Sequence, residues 1–231
     1  MYSEKYLKDF CLSKKQYEDL DSFYIEFRKG NKVVNLSSNV SEEDFFIKNI
    51  KDSLGITKFI EFKKGENIID VGTGGGFPGL VLAIIFPEVN FTLIDSNRKK
   101  INWVNIIKNK FFLKNVEIIW GRIETQKQLL AKFDYVIFRA FSQTGINTEI
   151  GSFLLKPEGS MILYKGKNYK EELKGYNEEE IIFKFDVKLD EIFDWDLEEN
   201  LKRYFVIFKK LGWKNSSLPR RHNQILSKPY F

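Results

Sequence analysis

The chain has one cysteine, one histidine, five prolines and three alanines in 231 residues. A lone Cys11 can form neither an internal disulfide nor a cysteine-based zinc site, and with His222 the only imidazole no metal site is expected. The longest apolar run, Leu80 to Phe86, ends at Pro87, far short of a membrane span. The N-terminal Met1-Tyr-Ser-Glu-Lys-Tyr has mixed charge and no signal-peptide core. Low-complexity linkers and internal repeats are also missing. With 43% apolar and 16% aromatic residues, a packed core is expected and disorder is excluded as an overall description. A soluble, cytoplasmic, monomeric protein without membrane contact is expected.

Acid is missing from two stretches. Residues 97–115 hold Arg98, Lys99, Lys100, Lys108, Lys110 and Lys114, and 209–231 hold Lys209, Lys210, Lys214, Arg220, Arg221 and Lys228. Residues 171–200 instead carry twelve acids against three lysines. A net charge of +5 is mild, and the excess of 30 lysines over 7 arginines fits AT-rich coding as well as function. The segregation nevertheless permits a basic face for a polyanion.

Residues 1–60 read as a helical extension. Leu20, Phe23, Tyr24 and Phe27 recur at helical spacing up to Gly30, and Ser41 with Glu42 to Asp44 marks a second start, followed by Ile47, Ile50 and Leu54. From 61 to 231 the pattern is α/β. Strands are predicted at Ile68–Val71, Phe91–Ile94, Val116–Ile119, Tyr135–Phe138, Met161–Tyr164, Ile181–Phe185 and Tyr204–Phe208, and helices near 79–86, 98–112, 124–132 and 144–155. The alternation predicts a mostly parallel seven-stranded sheet covered on both faces, with the last two strands pairing antiparallel at one edge.

Asp70-Val-Gly72-Thr-Gly74-Gly75-Gly76-Phe77-Pro78-Gly79 follows the first strand and opens a helix. So many glycines suit close backbone approach to a ligand better than a bare tight turn. Gly74, Gly76 and Gly79 also fit G-x-G-x-x-G, so a nicotinamide dinucleotide is an alternative. Asp70 opposes it: a carboxylate facing the cleft repels a pyrophosphate and favours a cationic ligand such as S-adenosylmethionine. Asp95, ending the second strand, can accept both hydroxyls of a ribose in either cofactor or can cap the next helix, a role open to Ser96 and Asn97 as well, and these two are also candidates for the cofactor site.

These residues carry a resemblance. The segment Asp70–Gly79, ending in Phe-Pro-Gly, resembles the cofactor loop of class I (Rossmann-like) S-adenosylmethionine-dependent methyltransferases, and within them the RsmG (glucose-inhibited division protein B) family. Asn35-Leu-Ser37, Asp52-Ser-Leu54, Gly121-Arg-Ile-Glu124, Arg139-Ala-Phe141, Lys165-Gly-Lys-Asn168, Pro219-Arg-Arg221 and Lys228-Pro229 follow in the family's order. Asn49 stands where the family has histidine, and Ser37 where it has threonine. The resemblance implies methylation of N7 of a guanine in bacterial 16S ribosomal RNA, with the RNA or small ribosomal subunit as partner. It implies cofactor contacts at Gly72, Phe77, Asp95, Ile123, Glu124 and Arg139.

The residues agree with that chemistry. The guanine N7 lone pair carries no proton, so attack on a sulfonium methyl needs alignment, not a general base. Cytosine C5 methylation calls for a cysteine, and Cys11 is expected in the N-terminal helix, far from any strand end. Adenine amino-group chemistry comes with an Asn/Asp-Pro-Pro-aromatic tetrad, where this chain has Arg139-Ala-Phe-Ser. Arg139, Lys165 and Arg122, each after a strand, are the candidates for orienting base, phosphate or cofactor carboxylate, with a surface ion pair as the plain alternative. The tail from Leu218 to Phe231 can hold phosphates or be a frayed end. A different methyl acceptor, or a non-catalytic RNA-binding relative, is the alternative function.

Overall fold

Parity along each short strand decides which layer a side chain joins, and that parity organises the chain. The computed structural model describes residues 2–38, 41–212, 219–220 and 222–231. Seven strands, β1 (Asn67–Val71), β2 (Asn90–Asp95), β3 (Val116–Trp120), β4 (Phe133–Arg139), β5 (Leu155–Lys165), β6 (Val187–Glu198) and β7 (Leu201–Lys210), form one sheet in the order β3-β2-β1-β4-β5-β7-β6. The first five pair in parallel, and β7 runs antiparallel to both β5 and β6, so the reversed strand lies one in from the edge. This is the mostly parallel sheet that the strand–helix alternation predicts.

Ile68, Phe91, Leu93, Ile137, Ile162, Tyr164 and Phe205 face one layer, and Ile69, Val71, Ile94, Phe138, Leu163 and Phe208 the other. The first layer is shared with the N-terminal helices. These are α1 (Tyr2–Tyr6), α2 (Lys14–Asn31), α3 (Glu42–Asp44), a π-helical stretch (Phe45–Lys51), α4 (Asp52–Leu54) and a 3-10 turn (Gly55–Lys58). Ser13 caps α2 in a capping box and Ser41 caps α3. Phe23, Phe27 and Phe45, all fully buried, meet Phe77 of the glycine turn at ring separations of 5.6 to 6.0 Å. Burying each such ring is worth about 1.5–3 kcal/mol. α5 (Gly79–Ile85) and α6 (Arg98–Lys110) complete this layer, while α7 (Thr144–Leu154), α8 (Tyr169–Glu172), α9 (Glu178–Phe185) and α10 (His222–Ser227) serve the other side.

Three expectations are corrected. The run Ile181–Phe185 is not a strand but the end of α9: Asn177 caps the helix, Glu178 to Glu180 fill its first turn, and Ile181 and Phe185, four apart, are its buried pair. The true sixth strand follows at Val187, masked in sequence by its acids and by a register shift between Leu189 and Glu191. Residues 124–132 form no helix but two 3-10 turns, Ile123–Thr125 and Lys127–Leu129, ahead of Ala131 at φ 51°. Cys11 lies not in a helix but in the exposed link between α1 and α2. Among the described residues no helix is long and apolar enough to cross a membrane.

Candidate functional site

The carboxyl ends of the parallel strands open into two adjoining cavities that share Ala140. The first, about 260 Å³, is lined by Gly72 and Gly74 after β1, Asp95 and Ser96 after β2, Arg122, Ile123 and Glu124 after β3, and Phe141 after β4. Lys100 reaches in from α6. The turn that floors it is held by backbone: the Gly72 and Thr73 amides both donate to the Ile94 carbonyl. Gly72 sits at φ 75°, and a Cβ there would lie 2.4 Å from the Phe141 ring, so any side chain at this position is penalised twice over. Trp103 of α6 donates its indole N–H to the Gly75 carbonyl at 3.2 Å.

Asp95 fixes the same turn. Its Oδ2 accepts the Gly74 amide at 2.9 Å and its Oδ1 the Asn97 amide at 2.8 Å. Each oxygen keeps a second lone pair for a hydroxyl donor. Asn97 is the residue that caps α6, accepting from Lys99 and Lys100, so the capping role considered for Asp95 falls to its neighbour. Gly72, Gly74, Asp95, Ser96, Ile123, Glu124 and Arg122 are therefore brought together, as their sequence positions suggest.

Asp70 is the main correction. It shares parity with Ile68, not with the cleft, and is 1% exposed beneath the turn. Its Oδ2 accepts the Gly79 amide at 2.9 Å and its Oδ1 is buried without a hydrogen-bond partner among the described residues, so the carboxylate is tied to the first turn of α5 and does not line the cleft. Burial pushes its pKa from the ordinary 3.8 to about 6, against the pull of the Thr73 hydroxyl, the Gly79 amide and Arg139. Phe77 is likewise turned away, its ring packed among Phe23, Phe27 and Phe45, and Gly76 and Asn97 do not line the cleft.

The second cavity, about 320 Å³, is lined by Asp52, Arg139, Asn147, Tyr164, Lys165, Glu172 and Arg203, among others. Arg139 stands here and not in the first cleft. Asp52, 2% exposed, accepts from Arg139 Nε at 2.9 Å and from Arg203 Nε at 2.8 Å. Arg139 also donates to the Lys48 carbonyl, and the Tyr164 hydroxyl donates to the Ser53 carbonyl at 2.9 Å. Burial raises the Tyr164 phenol well above its ordinary range, so it acts as a donor throughout the neutral range. Lys165 bonds the Glu172 carboxylate at 2.6 Å and the Ser142 carbonyl at 3.0 Å. The cavity thus holds three cations against two carboxylates, a net positive pocket. Sequence reasoning missed Arg203, Lys100 and the role of Asp52.

The expected basic tail is only partly in view: Leu218, Arg221 and the His222 side chain lie outside the described residues. Arg220 is engaged by Glu149, with Nη2 to Oε2 at 2.6 Å, while Tyr230 and Phe231 pack on Phe185 and Tyr176. Arg220 is therefore a structural ion pair, not a free phosphate contact.

The family model for rRNA small subunit methyltransferase G (GidB) matches residues 16–192. A protein named ribosomal RNA small subunit methyltransferase G from Caldanaerobacter subterraneus subsp. tengcongensis is 31% identical over 216 residues, covering 92% of this chain and 89% of that protein. One of the same name from Mesoplasma florum is 39% identical over 181 residues, covering 78% and 75%. Among solved structures, a SAM-dependent methyltransferase from Aquifex aeolicus superposes with a TM-score of 0.56 at 18% identity, covering 80% of this chain and 98% of that one. At that identity the match speaks for the fold, and the fold is that of the class I methyltransferases.

Proposed function

Because the chain belongs to the rRNA small subunit methyltransferase G family, we propose that it methylates N7 of a guanine in 16S ribosomal RNA with S-adenosylmethionine as donor. The observation that carries the reading is the meeting of the two cavities at Ala140. One suits the cofactor and the other an anionic, acceptor-rich substrate.

The residues of the first cleft fit the cofactor. Gly72 and Gly74 leave backbone bare where a ligand approaches, and Asp95 has acceptor capacity left for a ribose diol. Ser96, Ile123 and Glu124 line the space around it. When bound, S-adenosylmethionine supplies a methyl group on a positively charged sulfur. Asp70 supports the site from behind by bonding the first turn of α5, and it serves the cofactor through the shape of the turn. That role replaces the direct electrostatic one expected of it.

In the second cavity Arg139, Arg203 and Lys165 can take guanine O6 or flanking phosphates. Asp52 and Glu172 hold them away from N7, where a cation would oppose the charge that develops on the ring. No residue need remove a proton, since N7 carries none, and the task of the protein is alignment. Arg122, at the lip of the cofactor cleft, is suited to a phosphate contact. Action as a monomer in the cytoplasm, where a ribosomal substrate is met, belongs to the same reading.

Nucleoside mass spectrometry of 16S RNA from cells lacking the gene tests the reading. One 7-methylguanosine is expected to disappear, and unchanged 7-methylguanosine refutes the proposal. Calorimetry tests the cofactor separately: tighter binding of NAD than of S-adenosylmethionine would discard it.

A further inference from the structure

At the rim of the cofactor cleft stands an indole that the proposed reaction does not use. Trp120 ends β3, the strand at the sheet's edge, and is 56% exposed. It is not loose. Its N–H donates to the carbonyl of Ser96, a residue of the cleft, at 3.1 Å, and the Arg98 guanidinium lies 5.0 Å from the ring centroid. A fixed, exposed indole with a guanidinium against it is a stacking surface for a base.

The surroundings select the kind of partner. α6 begins with Arg98, Lys99 and Lys100 and has no acid in its first turn, the reverse of what the helix dipole favours. Arg122 is exposed two residues beyond Trp120. None of these four cations forms a salt bridge with a carboxylate among the described residues. Trp120 itself does not line the cleft, so the ring is offered outward and not to the cofactor.

We propose that Trp120 and Arg98 form a stacking platform for an unpaired nucleotide of the RNA a few positions from the methylated base, with Lys99 and Arg122 meeting its flanking phosphates. The proposal rests on the ribosomal RNA reading above and adds to it where the RNA runs: from the second cavity across Ala140 and past the cofactor cleft. Stacking tolerates any base, so the platform contributes affinity and orientation without fixing sequence.

Methyl transfer to 16S RNA from cells lacking the gene is measured for wild type, Trp120→Ala, Trp120→Phe and Arg98→Ala, varying RNA and S-adenosylmethionine in turn. Trp120→Ala is expected to raise the RNA KM about tenfold, with kcat and the KM for S-adenosylmethionine held. Trp120→Phe is expected to recover most of the loss, and Arg98→Ala to flatten the salt dependence of RNA binding. An unmoved RNA KM in Trp120→Ala overturns the platform. So does a rise in the KM for S-adenosylmethionine instead, which would assign the ring to the cofactor. A wild-type protein inactive on 16S RNA overturns the platform together with the reading beneath it, and is told apart by that control.

Discussion

Replacing Asp52 by asparagine asks whether the two arginines of the second cavity are positioned or merely present. The carboxylate accepts one bond from each, at 2.9 and 2.8 Å, and is 2% exposed. Asparagine keeps the shape but offers one oxygen, so one guanidinium faces an amide N–H instead of an acceptor. A hydrogen bond to a charged group is worth roughly 1.5–3 kcal/mol, and breaking a buried ion pair from one side costs roughly 3–5 kcal/mol. With one bond retained, the expected loss is about 2–4 kcal/mol. In a chain of this size that lowers the melting temperature by roughly 5–15 °C. Urea and thermal unfolding measure it, and a change within about 0.5 kcal/mol of wild type, the range of an ordinary surface substitution, would refute the reasoning. Kinetics gives a second reading. The substitution adds a net positive charge, so a simple electrostatic patch would bind RNA more tightly. If Asp52 positions the arginines, kcat falls by about tenfold, an alignment loss of about 1.4 kcal/mol, without tighter RNA binding.

Asp70→Asn is expected to stabilise the protein at pH 8 and progressively less as pH falls to 5. A carboxyl whose pKa rises on folding from 3.8 to about 6 binds its proton more tightly when folded, so wild-type stability falls as pH rises from about 4 to about 6 and stays lower above. At about 1.4 kcal/mol per pH unit the contribution is of order 3 kcal/mol, and a pH-independent difference between the two proteins in urea unfolding would contradict it. Gly72→Ala places a Cβ 2.4 Å from the Phe141 ring at φ 75°, costing roughly 1–3 kcal/mol. Calorimetry should show S-adenosylmethionine binding lost while the fold persists, and wild-type affinity would remove the turn from the cofactor site. Lys165→Ala leaves Glu172 still bonded to the Thr144 amide and hydroxyl, both at 2.9 Å. Turnover should therefore fall with little change in unfolding, and a wild-type rate would take Lys165 off the substrate side.

The proposed cofactor cleft is legible in the sequence because contiguous residues build it. A glycine-rich turn after one strand and an acid ending the next are local patterns, and a parallel sheet sets adjacent strand ends side by side. Parity, also local, would have corrected Asp70: it lies two residues after Ile68 and so shares that residue's buried face. β6 was hidden for a different reason. Its acids Asp190, Glu191, Asp194, Asp196 and Glu198 suit an exposed edge, where charge discourages further pairing, and its register shift breaks the alternation that marks a strand. The α9 error followed from that, since a short apolar run between acids was the only strand-like text nearby.

The second, cationic cavity is half hidden in the sequence because it is an accident of topology, not of spacing. Arg203 lies near the start of β7, and only the reversal of that strand brings it to the carboxyl edge, where Tyr204 pairs with Lys165 of β5. Asp52 is 87 residues from Arg139 and 151 from Arg203, so nothing local links them. Their meeting makes the N-terminal segment part of the site. Lys48 and Ser53 lend carbonyls to Arg139 and Tyr164, and the π-helical turn between Phe45 and Lys51 shifts the helix phase just before Asp52. Phe45 in the same turn packs on Phe77 of the glycine loop. One short stretch of the N-terminal region therefore touches both the floor of the cofactor cleft and the wall of the cationic cavity. A change in its helical phase would move both at once, which makes this region integral to the alignment that the proposed reaction requires.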